Sequence, residues 1–429
     1  MATVAAVYFH ALEYGDYASN IGGGAESVAA ERFDELLRRF GLVDLVETEG
    51  TGLVCGAANA LVDHPPSPFI DVDDAVRARC LQAATAAGAP CAVTNALAVQ
   101  VQRQLAALAA RLGRPLLAAS LNASAEAIGA SIQRELLRTG AQCSPAAPAC
   151  FGDSVGAPTS ATSLHATMLP VAVDGALPTE ALPRTLPFLL ARAARRGLET
   201  HGLECSGWGA LSLAEALFKI ARVADAAEPV AAAQTSEAAA TFATRALVGN
   251  GTNSWAGGML RDAGATMTME AWAPDEGSGT YSHPWTASPA LTIPRLLMGL
   301  GPLEGYVGDA WRVVGIRPFP TAALSEAALV YPSPRGLFAV AFRAVLARWS
   351  SDSAEAAAGG ATVSLNVTVP GNTGAVACLP AYLLPGYGEG SCSVLLDDVA
   401  ALAPLHAEGA LLCWPHELSG SHRILVRCS

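Results

Sequence analysis

The sequence predicts a mainly α-helical chain ending in a smaller antiparallel β domain, with the change of texture between residues 305 and 306. Three observations carry this. Apolar residues recur at steps of three and four through most of the first 300 positions. From about residue 310 onward, short runs alternate apolar and polar residues between glycines and prolines. The chain has 429 residues, 52% hydrophobic and only 15% charged, which is enough for two domains and a large core.

In chain order, Gly22-Gly23-Gly24 and the stretch from Pro65 to Pro68 mark loops. Val93, Leu97, Val101, Leu105, Leu108 and Leu112 fall on one helical stripe. Gly113 stops that helix and Pro115 follows it. Ile128, Ile132 and Leu136 form a second stripe. The Pro-, Cys- and Gly-rich stretch 143–158 reads as a loop. Leu213, Leu217 and Ile220 form a third stripe, preceded by small residues from Ser206 to Ala210. Helical hairpins of this kind suit a barrel of paired helices. Beyond residue 310, Arg312-Val313-Val314, the run Leu337 to Phe342 and the run Val363 to Val367 read as strands of a β-sandwich. The Ser/Ala/Gly run from Ser350 to Gly360 reads as a hairpin tip or insertion.

Composition excludes several functions. With 26 basic against 38 acidic residues the net charge is −12, and no basic stripe is present to neutralise phosphates, so a nucleic-acid partner is not expected. No apolar run reaches the roughly 18 residues of a membrane span. The start, MATVAAVYFHALEYGD, lacks a basic region followed by an apolar stretch, so no signal peptide is expected there. Ten cysteines occur without CxxC pairs or Cys/His ligand spacing, so neither a metal nor a cofactor is expected. Cys378, Cys392, Cys413 and Cys428 crowd the C-terminal end, as disulfides or as buried thiols. Asn122, Asn250 and Asn366 head glycosylation sequons, which matter only on a secretory route. Gly22–Gly24 lacks the Lys-Ser/Thr of a phosphate loop.

The chemistry concentrates in Gly264 to Trp285, GATMTMEAWAPDEGSGTYSHPW. Glu270 stands among threonines, methionines and Trp272, and His283 and Trp285 follow. A carboxylate in an aromatic, weakly polar setting is suited to general acid–base work, because partial desolvation raises its proton affinity. Indole rings suit a sugar, whose pyranose face is a flat array of C–H groups. The plain alternative for Glu270 is a helix-face carboxylate, for His283 a core histidine locking its loop, and for the tryptophans packing alone. Asp275 and Glu276, beside Gly277, Ser278 and Gly279, read as an exposed loop.

TMTMEAW with the following SHPW, Ser288-Pro289 and LLMGLGP at 296–302 together resemble the α-L-rhamnosidases of glycoside hydrolase family 78. Ser163-Leu164-His165-Ala166 is similar to that family's SLHA word. Val330-Tyr331-Pro332-Ser333-Pro334-Arg335-Gly336 is similar to its VPTPRG word, and VSLNVTVPGNTGAVACLP at 363–380 to a C-terminal strand pair. The words run in family order, although 226–246 matches poorly.

The resemblance implies an (α/α)6 six-hairpin barrel over residues 1–305, incomplete at its N-terminal side, then a β-sandwich over 306–429. It implies inverting hydrolysis of a rhamnose-containing glycoside or oligosaccharide without a cofactor, with Glu270 as general base and His283 binding the sugar. Trp272, Trp255, Trp285 and Trp208 become candidates for the cavity lining. Val62-Asp63-His64-Pro65 resembles a VDWP word, so Asp63 is a candidate sugar contact while His64 stands where an aromatic is expected. One departure is marked. The family's general-acid word, of the type D-x-P-x-R-x-x-x-x-G-W-x-G-D, is not found in residues 1–60, and Glu13 and Asp16 lack its Arg and Trp context. Two alternatives therefore stay open. One is a carbohydrate-binding or scaffold relative without turnover. The other is a different (α/α)6 enzyme such as a lyase, for which the Arg192, Arg195 and Arg196 cluster reads as a solvated helix face rather than a uronate site.

Overall fold

The computed structural model describes residues 33, 46–47, 51–55, 92–144, 147–155, 162–223, 229–272, 280–303, 311–349, 360–384, 387, 391–400, 405–414 and 417–428. The chain divides into two compact units, Met1–Lys219 with Ala246–Pro289, and Ile220–Arg245 with Ala290–Ser429.

The first unit is mainly helical. Besides the short pair β1 (Val46–Glu47) and β2 (Val54–Cys55), it opens with a helical hairpin of α1 (Ala92–Arg111) and α2 (Pro115–Leu136). Gly113 takes φ +69°, where a side chain would be strained, and Pro115 supplies the fixed φ of a first helical turn. Val101, Leu105 and Leu108 of the expected stripe are buried with Ala118, Leu121 and Phe33. Burial of each large aliphatic side chain contributes about 1.5–3 kcal/mol. Ile128, Ile132 and Leu136 are buried on α2.

The stretch expected as a loop from 143 is instead half of a β-hairpin. β3 (Leu137–Ser144) pairs antiparallel with β4 (Ala147–Phe151), and a Cys143–Cys150 disulfide ties them. Ladder bonds satisfy a backbone whose proline and glycine content suggested turns, and the crosslink holds the two strands together. Phe151 N–H donates to Thr167 Oγ1 (3.0 Å), pinning the hairpin to α3 (Leu164–Ala172). Ser163 caps α3 by accepting from Ala166 N–H at 3.1 Å. His165 is buried in its first turn. After α4 (Leu186–Ala193), Ser206 Oγ accepts from Trp208 and Gly209 N–H and starts α5 (Gly209–Arg222), on which Leu213, Leu217 and Ile220 are buried. The poorly matching bridge contains α6 (Pro229–Val248), and a short α7 (Pro289–Thr292) follows later; most of each groups with the second unit. No described helix is long and apolar enough to cross a membrane.

The second unit carries two sheets. The six-stranded sheet is antiparallel throughout, in the order β12-β11-β15-β9-β8-β7. These are β7 (Glu326–Ser333), β8 (Gly336–Leu346), β9 (Ala361–Val369), β11 (Cys392–Leu396), β12 (Val399–Ala400) and β15 (Gly420–Cys428). Phe338, Val340, Phe342, Ala344 and Leu346 of β8, and Ala361, Val363, Leu365, Val367 and Val369 of β9, alternate into the core. The five-stranded sheet has the order β13-β14-β10-β6-β5, from β5 (Leu300–Pro302), β6 (Val313–Ile316), β10 (Gly374–Pro380), β13 (His406–Glu408) and β14 (Leu411–Cys413). Its β6–β10 pair is parallel, a departure from the wholly antiparallel expectation. Trp311, leading into β6, lies 5.4 Å from the rings of both Tyr331 on β7 and Phe338 on β8, and so links the two sheets. Cys378–Cys413 bridges β10 to β14 and Cys392–Cys428 bridges β11 to β15, each between directly opposed residues. The four C-terminal cysteines are thus disulfides, whereas Cys205 is a buried thiol.

Candidate functional site

The segment carrying Glu270 is a short ladder. Glu270 N–H donates to Thr280 O (2.9 Å) and His283 N–H to Thr268 O (2.8 Å). Thr268 Oγ1 adds a bond to His283 O at 2.9 Å. Met269 is fully buried while Thr268 and Glu270 on either side of it stay half-exposed. These bonds bring Glu270 and His283 onto neighbouring segments although thirteen positions separate them. Thr280 N–H also donates to Glu270 Oε2 at 2.9 Å, which fixes the carboxylate and orients its second oxygen elsewhere. Among the described residues no ion pair involves Glu270.

Two indoles form the support of this ladder. Trp255 and Trp272 meet edge to face, with centroids 4.9 Å apart and planes at 81°. Trp272 is fully buried and donates Nε1–H to Cys205 O at 2.7 Å. Trp255 is half-buried and donates Nε1–H to Thr286 O at 2.8 Å. Thr286 Oγ1 in turn donates to Met269 O, and Ser288 Oγ to Gly207 O (3.1 Å). The SHPW word and the residues after it therefore lock the ladder from one side while the chain before α5 locks it from the other.

Glycines make this packing possible. Trp255 opens a π-helical turn, Trp255–Asp262, capped by Ser254 Oγ accepting from Gly257 N–H at 2.9 Å. A Cβ on Gly258 would lie 1.9 Å from Thr252 O and 3.3 Å from Trp272 O. Only glycine lets the turn approach the Thr252 carbonyl this closely.

Of the residues singled out from sequence, Glu270, His283, Trp255 and Trp272 come together here. For Trp285 the structure describes only the backbone, in the 3₁₀ turn Pro284–Thr286. Asp63, His64, Glu13, Asp16, Asp275 and Glu276 lie outside the described residues. Trp208 is half-buried just before α5. Arg192 donates to Thr162 O (2.6 Å) and Arg196 lies 3.5 Å from Glu204, so part of that arginine cluster is engaged in the fold. Thr280 N–H and the Cys205 carbonyl were not foreseen, because backbone groups leave no residue-type signal.

One sequence pattern had not been singled out. Gly152-Asp153-Ser154-Val155-Gly156 has the letters of a nucleophile elbow and follows β4. Among the described residues the next helix is α3, which starts at Leu164, and Asp153 accepts from Ser163 N–H at 2.8 Å. Cys378, Glu408 and Cys413 place their ligand atoms within 4.8 Å of one another. Both sulfurs are tied in a disulfide there, so no thiolate is available to a metal.

A carboxyl group with a near-neutral pKa is Glu215 on α5. Some of its side chain reaches solvent, yet its charged end is hemmed in, and that end decides the titration. Burial, helped by the charge of Asp174 and opposed by Lys219, pushes its pKa up to about 7. Lys219 pairs with Asp174 at 2.8 Å and donates to Val173 O at 2.9 Å.

No protein-family model matches the chain, and no curated protein matches it. Solved structures do. The chain is similar to an α-L-rhamnosidase from Dictyoglumus thermophilum, with TM-score 0.61 and 13% identity over 99% of this chain and 39% of that one. It is similar to a Streptomyces avermitilis α-L-rhamnosidase complexed with L-rhamnose, with TM-score 0.56 and 17% identity over 94% of this chain and 31% of that one. A GH78 family rhamnosidase of Bacillus sp. GL1 aligns with TM-score 0.52 and 17% identity, over 89% of this chain and 33% of that one. The chain thus spans between 31% and 39% of the length of these proteins. At such identities the likeness shows the fold, a helical domain followed by a β domain.

Proposed function

We propose that residues 1–305 are the catalytic portion of an α-L-rhamnosidase-like glycosidase, followed by a β-sandwich domain over 306–429. The reaction is hydrolysis of terminal α-L-rhamnosyl residues with inversion. One juxtaposition supports the reading: Glu270 and His283 share a ladder braced by an indole pair, in a chain with the rhamnosidase fold. L-Rhamnose is the sugar to test because it occupies the Streptomyces avermitilis relative.

In this reading Glu270 accepts a proton from a water molecule as the water oxygen bonds to the anomeric carbon. The bond to the leaving oxygen breaks, and a second carboxyl group, roughly 6.5–9.5 Å from the first, delivers a proton to it. Thr280 N–H holds one oxygen of Glu270 and leaves the other for the water. His283 donates a hydrogen bond to a sugar hydroxyl, with Asp63, Trp255 and Trp285 as further contacts. Trp272, being fully buried, shapes the site from behind.

Hydrolysis of an aryl α-L-rhamnoside checks this. Glu270→Gln is expected to lower kcat by about 10²–10⁴, the contribution of a general base. His283→Ala is expected to raise KM more than it lowers kcat. Equal rates for wild type and Glu270→Gln would remove Glu270 from the mechanism. A second reading, a sugar-binding relative without turnover, is favoured by His64, which stands where the VDWP word has an aromatic. Binding of L-rhamnose with no hydrolysis supports it.

A further inference from the structure

Three asparagines have no part in the site described above. Asn122, Asn250 and Asn366 stand two positions before Ser124, Thr252 and Thr368, with no proline between. That pattern is the acceptor of an N-linked oligosaccharide, and its use requires a surface position on a secreted chain. The fold meets the first condition at all three. Asn250 is exposed in the segment between α6 and the π-helical turn Trp255–Asp262. Its neighbours hold the segment from the inner side. Gly251 is buried, Thr252 N–H donates to Thr200 O at 3.3 Å, and Thr252 Oγ1 donates to His201 O at 3.2 Å. Asn122 is exposed on α2, one turn before the exposed Glu126, while Leu121 and Ala125 are buried. Asn366 is exposed on β9 between the buried Leu365 and Val367, and Ala341 on β8 and Arg423 on β15 stand directly opposite it. No hydrogen bond among the described residues engages any of these three side-chain amides. Two asparagines outside the pattern serve the interior instead: Asn95 is fully buried, and Asn253 Nδ2 donates to Leu203 O at 3.0 Å.

The crosslinks meet the second condition. Cys143–Cys150 lies in the first unit, and Cys378–Cys413 and Cys392–Cys428 lie in the second, so both units carry disulfides. Each joins two strands that are hydrogen-bonded neighbours, and the bonds are therefore part of the folded sheets. Disulfides form and persist in oxidising compartments, whereas cytosolic glutathione keeps thiols reduced. Each forms when a thiol pair passes two electrons and two protons to a disulfide oxidant, which leaves as a dithiol. The secretory lumen that oxidises thiols is also the place where oligosaccharides are joined to asparagine.

We propose that the chain folds in an oxidising secretory compartment and carries N-linked oligosaccharides on Asn122, Asn250 and Asn366. The donor is a lipid-diphosphate oligosaccharide. The asparagine Nδ2 displaces the diphosphate at the anomeric carbon: a C–N bond forms as the C–O bond breaks, and the lipid diphosphate leaves with the electron pair. One amide proton passes to a base of the transferring enzyme. The outward positions of the three side chains leave room for a bulky, hydrated substituent without opening either core. The inference is independent of the rhamnosidase reading, since its test involves no catalysis by this chain.

The test is mass spectrometry of the full chain isolated from the organism that makes it, alkylated before reduction and treated with peptide N-glycosidase in heavy-oxygen water. Asn122, Asn250 and Asn366 are each expected to be converted to labelled aspartate, and Asn253 is expected to stay unlabelled. Cys143, Cys150, Cys378, Cys392, Cys413 and Cys428 are expected to escape alkylation until a reductant is added. In the chain secreted from cultured eukaryotic cells, Asn250→Gln is expected to lose one step of the mobility shift that the glycosidase collapses. Thr252→Ala keeps the asparagine and is expected to lose the same step, while Thr252→Ser is expected to retain it. Should one of these variants fail to fold, labelling of the wild-type chain decides alone. Unmodified asparagines in the native chain overturn the proposal even with every disulfide intact. So does alkylation of the six cysteines before reduction, or a secreted chain whose mobility the glycosidase leaves unchanged.

Discussion

At the scale of single residues, two titrating groups with raised folded pKa values both favour the folded state at lower pH. Glu215 has a folded pKa of about 7 against an ordinary value of 4.5, so the folded state binds the extra proton between those limits. Its contribution favours folding at low pH and is lost as pH rises from about 4.5 to about 7. Glu215→Gln is therefore expected to stabilise the chain at pH 8 by on the order of 1–3 kcal/mol, with no gain at pH 4.5. Urea midpoints at the two pH values check this; a variant less stable than wild type at pH 8 would refute it. His422 has the same pH dependence from a different cause, hydrogen bonding in place of burial. Its Nδ1 lies 2.8 Å from Asp397 Oδ2 and its Nε2 lies 2.8 Å from Ser419 O, so both nitrogens face acceptors and the doubly protonated ring suits them best. Burial lowers its pKa, but the hydrogen bonds to Asp397 and Ser419 and the charge of Asp397 outweigh that and leave it raised. The stabilisation is complete below the ordinary histidine value and lost as pH climbs through the raised one. His422→Ala is expected to lower Tm at pH 5.5 and to change it less at pH 9; an equal loss at both would assign the bonds no charge dependence. Glu270 and His283 were legible because side-chain chemistry is written in residue types. The Thr280 amide that holds Glu270 was not, because every residue has one.

Elements were legible where periodicity and punctuation agreed. The stripe from Val93 to Leu108 followed by Gly113 and Pro115 marks α1 and the start of α2. Ser206 before Gly209 marks the start of α5. The β3–β4 hairpin was misread because its ladder and disulfide override local turn composition, and a pairing between Cys143 and Cys150 is no more visible than any other among ten cysteines. The parallel β6–β10 pair escaped for a related reason, since alternation gives a strand but not its partner. The π-helical turn at Trp255–Asp262 is likewise set by packing, and Gly258 is its testable point. Gly258→Ala is expected to cost about 1–3 kcal/mol, as overpacking does. It is also expected to shift tryptophan fluorescence, because the new methyl group displaces Thr252 or Trp272. Unchanged stability and emission would show that the turn yields freely.

At the scale of the whole molecule, the chain exchanges segments between units: Ile220–Arg245 groups with the C-terminal half, and Ala246–Pro289, which carries Glu270, groups with the N-terminal half. A linear reading of texture gives one change, near residue 305, and does not reveal such an exchange. The crosslinks of the second unit have a topological consequence. The Cys378–Cys413 loop and the Cys392–Cys428 loop overlap, so every peptide bond between Cys392 and Cys413 lies inside both. A protease that cuts there severs the main chain without releasing a fragment. Electrophoresis of the nicked protein should show one full-length band without reductant and two shorter ones with it, and the nicked molecule should keep its terminal strand β15 docked until both bonds are reduced.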